Sequence, residues 1–185
     1  MSVWAWILII IAGLVVIALA AWAAMRQRRS QRLRERYGPE YERTLEERGG
    51  RREAEAELER REEKRRRLEI VPLAPEVRDR YVASWREVQA RFVDDPSGAL
   101  ADADSLVERV MRDRGYPMDD FDQRAADISV DHPEVVENYR AGHALYLAKE
   151  RGDATTEDLR QAVIHYRALF GELLETRDEA REEVG

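Results

Sequence analysis

The chain reads as an all-α protein with an N-terminal transmembrane helix, a charged helical connector and a small soluble bundle of about five helices. Three observations predict this. Val3 to Met25 is an uncharged, largely apolar run of 23 residues. From Arg26 to Ile70 the composition is dominated by arginine and glutamate. Beyond Val71, apolar residues recur at spacings of three and four between proline- and glycine-bearing breaks, with no alternating period-2 run.

A helix rises about 1.5 Å per residue, so the run over 3–25 matches a hydrocarbon core of about 30 Å. Trp4 and Trp6 stand near one end and Trp22 near the other, the placement that amphipathic indoles favour at membrane interfaces. Small residues around Ala18 and Ala21 offer a cleavage-site spacing. No basic region precedes the run, however, and it is long for the core of a signal peptide, which favours a retained anchor. Arg26 to Arg36 then holds six arginines and one glutamate. The positive-inside rule places this flank in the cytoplasm, predicting a single-pass protein of the cell membrane with its N-terminus outside and its C-terminal domain cytoplasmic. The expected membrane-interface residues are Trp4, Trp6, Trp22, Arg26, Arg28, Arg29 and Arg32, facing the lipid bilayer and its anionic headgroups. Aromatic residues are not interleaved with these arginines, so nucleic acid is not an expected partner.

Residues 26–70 form the connector. Gly38-Pro39 and Gly49-Gly50 are expected to interrupt it, because proline lacks a donor and glycine is a poor helix former. Elsewhere Glu57–Arg61, Glu62–Arg66 and Glu63–Arg67 are i, i+4 pairs that support a helix. Leu45, Ala54, Ala56, Leu58 and Leu68 do not make a heptad seam. The composition is that of a coiled coil without its a/d core, so the segment reads first as a solvated spacer and second as a homodimer contact.

The soluble domain is expected over 76–176. Val77, Tyr81, Trp85, Val88 and Phe92 share one helical face, and Pro96 suits the first turn of the next helix. There Leu100, Ala103, Leu106, Val107, Val110 and Met111 point inward. A short helix follows, burying Phe121, Ala125 and Ile128. Another is expected from Pro133, with Asp131 and His132 at its N-terminal cap and Tyr139, His143, Tyr146 and Leu147 inward or nearly so. Thr155 and Asp158 resemble a capping box ahead of Leu159, Val163, Tyr166, Phe170 and Leu173. Residues 177–185 read as an acidic flexible tail.

Little in the sequence points to chemistry. The absence of cysteine excludes disulfides, thiolate metal sites and cysteine nucleophiles. The net charge of −7 hides an asymmetry: residues 26–69 hold 16 basic and 12 acidic side chains, and the acidic excess lies beyond them. No metal-binding, nucleotide-binding or nucleophile motif is present, so no cofactor, metal site or catalytic residue is expected. His132 and His143 lie three helical turns apart, too far to share one metal. The leading expectation is a cytoplasmic helical adaptor or scaffold for an unknown protein partner. Tyr116, Phe121, Arg124, Tyr139 and Arg140 are its candidate partner-binding face, since tyrosine and arginine are favoured at interface hot spots. The alternative is a membrane-tethered enzyme using the Asp127, Asp131 and His132 corner.

"RYGPEYERTLEERGGRREAEAEL", "RGYPMDDFDQRAADISVDHPEVVENYRAGH" and "DLRQAVIHYRALF" resemble segments of a group of uncharacterised bacterial proteins, usually labelled hypothetical, secreted or membrane proteins. The preference for arginine over lysine fits a high-GC genome. The resemblance implies no activity, cofactor or functional residue.

Overall fold

The structure, a computed structural model, describes residues 3–175, with the side chains of residues 3, 5–10 and 12 not described. The side chain of Trp6 and the expected tail over 177–185 therefore lie outside what the structure describes. The described chain consists of α1 (Val3–Tyr37), α2 (Pro39–Arg48), α3 (Arg51–Arg67), α4 (Pro75–Asp94), α5 (Pro96–Asp113), α6 (Phe121–Asp131), α7 (Val136–Glu150) and α8 (Thr156–Leu174), with no strand among the described residues.

The all-α class is correct, and the transmembrane helix is not supported. Among the described residues no helix is long and apolar enough to cross a membrane. The whole of the apolar run over 3–25 lies within α1. Beyond it α1 continues unbroken into a charged half, so the apolar run is not a separate element.

Helices α4 to α8 share the larger core. On α5, Ala99, Leu100, Ala103, Leu106, Val107, Val110 and Met111 are all buried, and α8 contributes Leu159, Ala162, Tyr166, Leu169, Phe170, Leu173 and Leu174. Helix α5 packs against α4 and α8, and α8 pairs with α7 in a helical hairpin. Gly142 lets α7 approach closely, since a Cβ there would meet the Tyr166 ring at 3.2 Å. Local signals set the starts: Pro75 and Pro96 sit in first turns, Asp95 caps α5 by accepting from the Gly98 N–H, and Thr155 with Asp158 closes the capping box of α8.

The start of α7 differs from the expectation. Asp131 ends α6 and His132 is its C-cap, so neither caps the following helix. The turn over 133–135 intervenes, and α7 begins at Val136 with no side-chain cap. Leu147, expected inward or nearly so, is exposed.

Residues 26–70 are not a solvated spacer. The breaks at Gly38 and Gly49 fold α1, α2 and α3 back on one another, and both glycines take positive φ. Leu33 and Tyr37 from α1, Tyr41 from α2 and Leu58 from α3 make a second core with Val130 of α6. The Tyr37 hydroxyl donates to the Leu58 carbonyl at 3.4 Å, and the Tyr41 hydroxyl donates to Glu55 at 3.1 Å. Helix α3 also lies against α6, so the charged segment is an integral layer of the protein. Its return to the bundle depends on Gly115, whose φ of 93° follows α5. A Cβ there would meet the Glu69 carbonyl oxygen at 2.4 Å, while Val71 N–H donates to the Arg114 carbonyl beside it.

Candidate functional site

The most concentrated buried polar chemistry lies where α2 and α3 meet α6 and α7. Pro39 opens α2, and Glu40 follows it in the first turn, only 1 % exposed. A carboxylate so placed must be paired. Arg61 of α3, 7 % exposed, donates to Glu40 Oε1 at 2.7 Å. Arg140 of α7 donates to the same oxygen at 2.8 Å and also to Oε2. Arg61 further reaches Glu57 at 3.1 Å and the Ser129 hydroxyl at 3.2 Å, and Arg140 reaches Glu137 at 2.9 Å. Burial alone would lower the Arg140 pKa, yet its hydrogen bonds to Glu40 and the nearby carboxylates hold it above the ordinary arginine value.

Around this centre, more ion pairs stitch α3 to α6. Lys64 donates to Asp127 at 2.8 Å, and Arg65 pairs with Asp131. Glu62 receives Arg32 at 3.1 Å, while Arg36 reaches the Val130 carbonyl at 3.3 Å. A groove of about 430 Å³ opens outside, lined by Arg43, Arg48, Arg61 and Arg140 together with Glu47, Glu57, Asp120 and Asp122. Its guanidinium and carboxylate groups are equal in number, so it carries no net charge. The arrangement holds helices together by charge, and it presents no nucleophile–base pair.

Of the five residues expected to form a partner-binding face, Tyr116 and Tyr139 are buried and Phe121, Arg124 and Arg140 are partly buried. Tyr116 is 3 % exposed and donates to Asp131 at 3.1 Å. Phe121 packs on Tyr139 and stacks on His143 with ring centroids 3.7 Å apart. Arg124 donates to the fully buried Tyr139 hydroxyl at 3.1 Å and pairs with Glu108 at 2.9 Å. Burial pushes the Tyr139 pKa up to about 12, with Arg124 opposing. Arg140 belongs to the Glu40 pair. Phe121, Arg124 and Tyr139 thus contact one another, while Tyr116 and Arg140 are engaged by Asp131 and Glu40.

The Asp127, Asp131 and His132 corner is divided among separate contacts. Asp127 holds Lys64 and Gln123, Asp131 holds Arg65 and Tyr116, and His132 Nδ1 lies 3.0 Å from Glu172. No group of three metal-ligating side chains converges among the described residues. Of the expected interface residues, Trp4, Trp22, Arg26, Arg28, Arg29 and Arg32 are all exposed. Glu40 and Arg61 were missed as site residues. Their signal was the helical spacing of Ala54, Leu58, Arg61 and Glu62, in which charged residues occupy inward positions.

His143 supplies a pH-dependent element. It is half-buried against Phe121, and burial lowers its pKa below the ordinary 6.5, although Asp104, Glu108 and Asp122 counteract this and Arg124 adds to it. The folded protein thus favours the neutral ring, whereas the unfolded chain takes up a proton at the ordinary value. Its contribution to stability is complete above 6.5 and is lost as pH falls through 6.5 to the folded value. Urea unfolding at about pH 7.5 and about pH 5.5 will show a smaller pH-dependent drop in His143→Gln than in the natural chain.

No protein-family model, curated protein or solved structure matches the chain.

Proposed function

We propose that the protein is an adaptor in which α1 docks on an apolar partner and carries a rigid helical module that binds a protein. The observation that carries this reading is the character of α1. Its described first half exposes Ile11, Leu14, Val15, Val16, Ile17, Leu19, Trp22 and Met25. A continuous apolar surface of this kind marks an interaction site. The same unbroken helix places Leu33 and Tyr37 in the second core. Whatever holds the bare half therefore fixes the orientation of α2 to α8. The module also leaves Leu147 of α7 and Ile164 of α8 exposed on its helical hairpin, as anchors for a partner.

Photo-crosslinking residues placed at Leu147 and Ile164 of the full chain, in the producing cell, test this. One protein should be captured from both positions, and it should co-purify with the natural chain but not with folded Leu147→Asp/Ile164→Asp. If neither position holds a protein above background while the chain remains folded, the adaptor reading fails.

A further inference from the structure

The fold brings the start of α3 back beside the first basic turns of α1, and the two together form a collar around Trp22. Two grooves, of about 500 Å³ and about 700 Å³, share Trp22 and Arg26 as walls. The first runs on to Arg34 and Arg51, the second to Arg29 and Arg52. Five guanidinium groups thus face one acid in the lining, Glu55, which is buried and receives Tyr41. Arg29, Arg34 and Arg51 have carboxylate partners in Glu59, Glu42 and Glu55. Arg26 and Arg52 make no ion pair among the described residues. Arg26 instead lies over the Trp22 ring, 5.5 Å from its centroid.

We propose that this collar binds the phosphodiester headgroup of an anionic lipid, whose acyl chains lie along the exposed apolar surface of α1. Both halves of the ligand are matched. The arginines supply positive charge and donors for phosphate oxygens. Trp22 is the junction: above it α1 is apolar and exposed, and below it the grooves are cationic. A nucleic-acid backbone would use the arginines but leave the apolar half bare. Arg51 and Arg52 are the new members of the site, since α3 alone brings them to residues some 25 positions earlier in the chain. The inference rests on α1 being the docking helix and names what it docks on.

The full chain in uncharged micelles, titrated with phosphatidylglycerol, phosphatidylcholine and inorganic phosphate, gives the test, with bound lipid counted by native mass spectrometry. Phosphatidylglycerol should bind, and phosphatidylcholine and phosphate should bind far more weakly. An arginine near an anionic surface contributes roughly fivefold, so Arg51→Gln/Arg52→Gln should weaken phosphatidylglycerol binding roughly 25-fold. Arg66→Gln/Arg67→Gln, at the far end of α3 and equal in charge removed, should change it little. Circular dichroism checks that both variants fold. The site is overturned by equal binding of the two lipids, by equal loss in both variants, or by no loss on removing Arg51 and Arg52. Phosphate binding as tight as the lipid removes the acyl-chain assignment, and duplex DNA bound more tightly than the lipid through Arg51 and Arg52 removes the lipid altogether. Loss of lipid preference with protein capture at Leu147 and Ile164 intact sinks this inference alone.

Discussion

Replacing Glu40 by alanine should destabilise the full chain by about 3–5 kcal/mol, the loss that follows when one member of a buried ion pair is removed. Glu40 is almost wholly enclosed and accepts from both Arg61 and Arg140. Without it the two guanidinium groups lose their shared buried carboxylate and, as carboxylate partners, keep only Glu57 and Glu137, on their own helices. Glu40→Gln keeps the shape and one acceptor, so its loss should be smaller. Removing Arg140 as well takes away one of these two guanidinium groups, and the Glu40→Ala/Arg140→Ala double variant should be less impaired than the two single losses added together. Urea unfolding followed by circular dichroism measures the natural chain and the four variants, Arg140→Ala included. Amide exchange should accelerate first in α2 and α3, the elements held by this pair. A loss below about 1 kcal/mol for Glu40→Ala would mean that the pair behaves as a solvent-exposed one and that α2 and α3 are held by their apolar contacts.

Trp85→Ala should cost a similar amount, about 3–5 kcal/mol, by a different mechanism. Helix α4 buries only Trp85 and Val88 among its twenty residues. The indole stacks on Phe170 of α8, with centroids 4.7 Å apart and planes 22° from parallel. Truncation therefore removes most of the buried anchor of α4 and leaves a cavity that the neighbouring α5 and α8 side chains only partly fill. Exchange of α4 amides should rise well before those of α5, whose seven buried residues hold it independently. Trp85→Phe keeps the stack and removes an indole N–H that has no hydrogen-bond partner among the described residues, so its cost should be much smaller. Similar losses for the two variants would place the stabilisation elsewhere than in ring packing.

The helices from α4 to α8 were legible because their determinants are local. Tyr81, Trp85 and Val88 repeat on one face, Pro75 and Pro96 start helices, and Thr155 with Asp158 caps one. The start of α7 was misread for a related reason. A proline after His132 excludes helix at that residue's far side, but it does not say whether His132 ends one helix or begins the next. The structure makes it the C-cap of α6 and adds a turn. Tyrosine and arginine suit an external interface and a buried polar contact equally well, and Tyr139 with Arg124 makes a contact of the second kind.

The sequence by itself determined the helical class, the division into a charged segment and an apolar-patterned bundle, and most helix limits, since each follows from residues within a few turns of one another. Only the tertiary structure decided what the charged segment does. A glutamate beside an arginine four residues on looks the same in water and in an interface. What buries Glu40 is Arg140, one hundred positions away, and what engages Lys64 is Asp127, on another helix. Charge pairing across such distances leaves no periodic mark, because a buried carboxylate is tolerated wherever a partner arrives to meet it. The same return of α3 that makes these pairs also carries Arg51 and Arg52 to Trp22.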